Sequence, residues 1–194
     1  VAALRQVRSD LQVGTGDVYR EVVGPIFYEY ADLLLRDADG LADAARRQEA
    51  LGSVRSLLEE VKVVEVRDYF RNDCLPLEPS QVQADAFTAS RGVAVLYPVV
   101  LADRVELLLS VGGGLDAVTV DVARTELDRT ADAFRRNVEV DARTSEYLQL
   151  AGQLHDWLVA PVLPVLERTG VHTLVVVPDA TLRSIPFAAL HDGD

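Results

Sequence analysis

The chain has one cysteine, one lysine, one tryptophan and no methionine in 194 residues. A single thiol, Cys74, excludes an internal disulfide and fits a reducing compartment, so a cytoplasmic setting is expected. Long apolar runs are also missing. The longest, Trp157 to Leu166, is interrupted by Pro161 and Pro164 and is too short to span a bilayer. Clustered positive charge is absent as well. The net charge is −12, and the basic residues are scattered among acids, as in Glu65-Val66-Arg67-Asp68, which argues against nucleic acid or an anionic membrane as a partner. With no methionine and valine at position 1, the chain reads as a stretch from inside a longer gene product.

What is present is ordinary for a globular protein: 49% hydrophobic and 26% charged residues, enough for one or two domains. Residues 1 to 17 carry a flexible Gly14-Thr15-Gly16-Asp17 entry. Ile26, Phe27, Tyr30, Ala31, Leu33 and Leu34 then recur at helical spacing, with Pro25 in a first turn, and predict a helix up to Arg36. Arg36 to Gly40 reads as a turn. Leu41, Ala44, Ala45, Leu51, Leu58, Val61 and Val64 predict a long amphipathic helix through about Phe70, paired antiparallel with the first. The proline-punctuated stretch Cys74 to Ser80 leads to a domain boundary expected near residue 85, giving regions 1–85 and 86–194.

Beyond the boundary the pattern changes to β. Gly92 to Leu101, Arg104 to Val111 and Leu115 to Asp121 predict an antiparallel meander, joined by Ala102-Asp103 and by Gly112-Gly113-Gly114. Helices are expected over Glu126–Asn137 and Tyr147–Ala160, then a short one after the prolines, ending at Gly170. A strand follows at 172–178, apolar at consecutive positions and therefore expected to be buried on both faces: Leu174 and Val176 on one, Val175 and Val177 on the other. The apolar run Leu182 to Leu190 should pin the exit loop of that strand onto the core. The fold class is α/β.

The run LHDWLVAPVLPVLERTGVHTLVVVPDATLRSIPFAALHDGD, residues 154 to 194, resembles the opening of a CHAT domain, the caspase- and separase-like domain commonly found behind tetratricopeptide (TPR) helices. The spacing PD-x-x-LR-x-x-PF-x-AL-x-x-G carries the resemblance. VKVVEVRDYFRNDC (61 to 74) and GVAVLYPVVLADRVELLLSVGG (92 to 113) are similar to segments preceding such domains, so the likeness spans roughly residues 25 to 194. It implies a TPR-like helical hairpin and the first part of a caspase-like α/β domain. The implied activity of the parent is that of a cysteine endopeptidase gated by what its helices bind. An interaction scaffold without a catalytic dyad is the alternative. In the family the catalytic histidine and cysteine lie beyond the PF-x-AL segment, so no complete site, cofactor or metal is expected in this chain. The implied partners are proteins at the helical region, the rest of the CHAT domain, and a second copy through the strand edge or the hairpin.

Each chemistry-bearing residue has a plainer reading. Cys74 matches the family's helical DYF-x-x-x-C segment rather than its nucleophile. His155, His172 and His191 lack the i, i+4 spacing of helix-borne metal ligands and read as structural or solvated. Gly112 to Gly114 is followed by a strand, which fits a hairpin turn and not a phosphate loop. Asp179 and Arg183 flank the turn at a strand's carboxyl end, where open α/β sheets place ligands, but a local Asp-Arg pair or Asx-turn is the simpler expectation. Glu59, Glu60 and Glu65, interleaved with Arg55 and Arg67, read as a solvated helix face.

Overall fold

The computed structural model describes residues 24–70, 92–139 and 145–192, with the side chains of 63–70 and of residue 139 outside the description. Contacts divide the chain into two compact units, Val1–Gln83 and Ala84–Asp194.

In the first unit, α1 (Gly24–Gly40) and α2 (Ala44–Phe70) form a hairpin. Phe27, from the start of α1, packs with Leu57 and Val61 of α2 around Ala31, which fixes the pair as antiparallel. The helix α1 outruns the expected end at Arg36 by a turn. Ala38 is fully buried, and Arg36 reaches back to Asp32 at 3.0 Å across one turn, so both packing and the i, i+4 ion pair favour continuing. The turn is therefore the stretch 41–43. Asp43 Oδ1 accepts the backbone N–H of Arg46 at 3.0 Å, satisfying a donor that the start of α2 would leave orphaned.

The second unit is built on a four-stranded mixed sheet in the order β3-β2-β1-β4. β1 (Val93–Val100), β2 (Val105–Val111) and β3 (Gly114–Val120) form the expected antiparallel meander. Gly112 and Gly113 both have positive φ in the two-residue β2–β3 connection, the backbone that an L side chain resists. After β3 come α3 (Arg124–Glu139), α4 (Ser145–Leu158), a 3₁₀ turn at Ala160–Val162 and α5 (Leu163–Thr169). The prolines thus interrupt the helix where expected. Gly170 closes α5 at φ 66°, its N–H bonding back to Glu167 and that of Val171 to Leu166, a Schellman-like stop. β4 (Thr173–Val176) then pairs parallel with β1, Val93 opposite Thr173.

One core lies between the sheet and these helices. Ala94, Leu96, Leu107 and Leu109 meet Leu127, Phe134, Leu154, Leu158 and Val162, all fully buried. Successive strand residues point to opposite faces, and the alternate set on β1 and β2, Val95, Tyr97, Val99 and Leu108, is buried as well. β4 differs. Leu174 and Val176 pack partly against the helix-side core, but Val175 is 40% exposed. The expectation of a strand buried on both faces is therefore corrected. Among the described residues β4 is an edge strand with one covered face, whereas β1 and β2 have both faces covered.

Candidate functional site

The parallel pairing of β1 and β4 brings the carboxyl ends of both strands to one side of the sheet, where a ligand or catalytic loop of an open α/β fold is usually built. The chain leaves β4 there through Pro178 and Asp179 into a 3₁₀ turn at Ala180–Ser184, with a second at Phe187–Ala189. Ala180 has φ 46°, left-handed backbone that costs a residue with a Cβ roughly 1–2 kcal/mol, so the surroundings must hold this turn in place. Three contacts do so. Leu182 is fully buried in the core, Thr181 Oγ1 donates to Asp128 Oδ1 of α3 at 2.6 Å, and Leu182 N–H donates to the Asp179 carbonyl at 3.0 Å.

Asp179 is buried, and its Oδ1 accepts from Arg183 Nη2 at 2.9 Å, four residues on. The local Asp-Arg pair is thus present at the strand's carboxyl end. The following run also behaves as expected. Ile185 is buried, and Phe187, Ala189 and Leu190 pack partly against the helix-side core. Tyr147 of α4, whose ring stacks on Phe134 at 5.4 Å, donates its hydroxyl to the Ala189 carbonyl at 3.3 Å. The segment is thereby tied to both α3 and α4.

The three histidines are distributed over different parts of the fold. His172, exposed at the amino end of β4, lies across Gly92: a Cβ there would stand 2.3 Å from its Nε2. Its Nδ1 is 3.0 Å from Thr173 Oγ1. The Nδ1 of His155 on α4 is buried without a hydrogen bond among the described residues, and Asp156 Oδ1 lies 3.8 Å away. His191 is partly buried, and its carbonyl runs past Gly152 of α4. Among the described residues no group of three or more His, Cys, Asp or Glu is placed to hold a metal ion. Cys74, Glu65 and Arg67 fall where no side chain is described. Arg55, Glu59 and Glu60 are half-buried on α2, a less open face than the solvated one expected.

A buried charge pair lies elsewhere in the sheet. Glu106 on β2 is 1% exposed; its carboxylate accepts from Arg104 Nε at 2.5 Å and from Thr119 Oγ1 of β3 at 3.0 Å. Arg104 also reaches Asp103 at 3.1 Å. Sequence reasoning missed this group, although a usable signal existed: Arg104 and Glu106 are two apart in a strand pattern and so share a face, and a hairpin at Gly112-Gly113 sets Thr119 opposite Glu106. Arg124, at the start of α3, donates to the Val100 carbonyl and fastens the helix to the carboxyl end of β1.

Residues 148–194, which comprise most of α4, α5, β4 and its exit turns, match the family model of the CHAT domain. The resemblance carried by the PD-x-x-LR-x-x-PF-x-AL run is therefore shown for a CHAT domain protein over this stretch. No curated protein and no solved structure matches the chain. No helix among the described residues is long and apolar enough to cross a membrane.

Proposed function

We propose that this chain is part of a TPR-CHAT protein: a TPR-like hairpin followed by the opening strands and helices of a caspase-like domain. The intact protein would be a cytoplasmic cysteine endopeptidase of the caspase and separase type, gated by proteins that bind its helical region. The observation that carries the reading is the CHAT match over residues 148–194, which runs from α4 through α5 to β4 and the tethered turn that follows it. In such a domain the nucleophile and base stand on strand ends beyond the PF-x-AL segment. The chain itself then contributes the supporting half of the sheet and performs no chemistry. A thiol and an imidazole must come within about 2.6–3.2 Å to act together. The rest of the CHAT domain is the natural partner of the β4 edge, with nucleic acid and membrane unsuited to a net charge of −12.

Peptide-library cleavage tests this. The intact gene product should cleave, with activity indifferent to Cys74→Ala and lost on replacing a cysteine beyond residue 194. The 194-residue chain should cleave nothing. Cleavage by this chain that disappears in Cys74→Ala would make Cys74 the nucleophile and overturn the assignment. An intact product with no His-Cys pair and no activity would leave the scaffold reading standing.

A further inference from the structure

The turn that leaves β4 is anchored by two successive side chains. Leu182, fully buried, sits in the helix-side core, and Thr181 Oγ1 donates to Asp128 Oδ1 of α3 at 2.6 Å. Successive residues of a 3₁₀ turn project their side chains about 120° apart, so two such anchors set the rotation of the turn about its own axis. Upstream, the chain arrives as extended backbone, with Asp179 at φ −129° and ψ 160° and its side chain buried. The join between a fixed strand and a fixed turn falls on Ala180, which accordingly takes φ 46°. A residue with a Cβ adopts that conformation when its surroundings impose it.

Asp128 is itself held in place. Leu127 and Ala131 beside it are fully buried in the core. Arg124, one turn earlier, donates its backbone N–H to the Ala102 carbonyl at 3.3 Å and its guanidinium to the Val100 carbonyl. The acceptor is therefore carried on a helix fastened to the carboxyl end of β1. On the other side of the bond, the Thr181 carbonyl accepts from Ser184 Oγ at 2.7 Å, so a displacement of Thr181 is passed along the turn. Arg183, two residues beyond, places Nη2 2.9 Å from Asp179 Oδ1. That contact closes over Ala180, and a change of φ there opens it.

We propose that Asp128 is a positioning residue: its hydrogen bond to Thr181 holds Ala180 left-handed and thereby sets Arg183 against Asp179 at the carboxyl end of β4. Without the bond, Ala180 returns to negative φ and the turn rotates about the Leu182 anchor. A shift of α3 reaches the Asp179–Arg183 pair through this bond. What the pair presents to a substrate rests on the peptidase reading, whereas the geometry of the turn does not.

Thr181→Val removes the hydroxyl at nearly constant volume, Thr181→Ser keeps it, and Ala180→Gly frees the left-handed conformation of its Cβ cost. Hydrogen exchange followed by NMR on the full chain reads the Leu182 amide, which donates to the Asp179 carbonyl at 3.0 Å, against the Leu101 amide, which donates to the Arg104 carbonyl at 2.9 Å. Thr181→Val and Asp128→Ala should each speed exchange at Leu182 about tenfold or more, the two together no more than either alone, with Leu101 unchanged. Thr181→Ser should exchange like the native chain, and Ala180→Gly added to Thr181→Val should recover most of the protection. Should Asp128→Ala lose its helical circular dichroism, Thr181→Val with and without Ala180→Gly carries the test. No acceleration at Leu182, equal acceleration at both amides, additive effects of Asp128→Ala and Thr181→Val, or no recovery with Ala180→Gly would overturn the proposal. These rates are read without any cleavage assay, so failure of the peptidase reading leaves them standing.

Discussion

The ion pair of Arg104 with Glu106 permits a quantitative test of how the sheet carries a charge in its interior. Glu106 is 1% and Arg104 12% exposed, so neither charge keeps much of its hydration, and each depends on the other. Breaking a buried pair from one side commonly costs about 3–5 kcal/mol, because the remaining charge is stranded. The two sides are not equivalent here. Removing Glu106 leaves Arg104 with Asp103, an exposed carboxylate 3.1 Å away, and with a partial route to water. Removing Arg104 leaves a more deeply buried carboxylate with the Thr119 hydroxyl as its one remaining donor named above, at 3.0 Å. Arg104→Met should therefore fall toward the upper end of the range, and Glu106→Gln, which preserves the volume and the Thr119 contact, toward about 2–3 kcal/mol. The double replacement Arg104→Met with Glu106→Leu should recover most of the loss, since an apolar pair of similar volume carries no stranded charge. Urea unfolding followed by circular dichroism measures all three. A single-variant loss below about 1 kcal/mol, or a double variant no better than Arg104→Met, would show that water or another group already serves these charges and would refute the reasoning.

Three further perturbations address the strand that ends the described sheet and its surroundings. Leu182→Ala, at a fully buried position under the exit turn, should cost about 2–5 kcal/mol in urea unfolding, and a loss under 1 would mean that the turn is not anchored by its core contact. Gly92→Ala should destabilise by roughly 1–2 kcal/mol because φ is 84° and the new methyl meets the His172 ring. Adding His172→Ala should return the steric share alone, so complete rescue or none in the double variant would contradict the two-part account. Val175→Lys should change stability by no more than about 0.5 kcal/mol, while Leu174→Lys should cost several, and equal effects would place both faces of β4 in the same environment.

The meander and the helices that cover it were legible because their signals are local. Apolar runs punctuated by Ala102-Asp103 and the glycines give strands and turns without knowledge of the rest, and Pro161, Pro164 and Gly170 mark helix ends by their own stereochemistry. The environment of β4 was not legible. Four consecutive apolar residues look the same at the centre of a sheet and at its edge, and only the pairing order puts Val175 on an uncovered face. Likewise, the extra turn of α1 depends on Ala38 meeting a core that the string Arg36-Asp37-Ala38-Asp39-Gly40 does not reveal. The Asp179–Arg183 pair was readable from its spacing. The tether from Thr181 to Asp128 joins residues 53 apart and had no local trace.

The mixed pairing of β1 also orders the events of folding. Its antiparallel partner is reached after a short loop, with Val100 opposite Val105, whereas its parallel partner begins 80 residues away, with Val93 opposite Thr173. Loop closure scales as (3/2)RT ln n, so closing 80 residues instead of 5 costs roughly 2.5 kcal/mol more in chain entropy before any contact is gained. The hairpins can therefore zip early, even on a chain still being synthesised, while the β4 side of β1 waits for the three helices to form and collapse onto the sheet. During that interval β1 presents an apolar edge of its own, and the slow step in assembling this unit is the arrival of a strand from far along the chain.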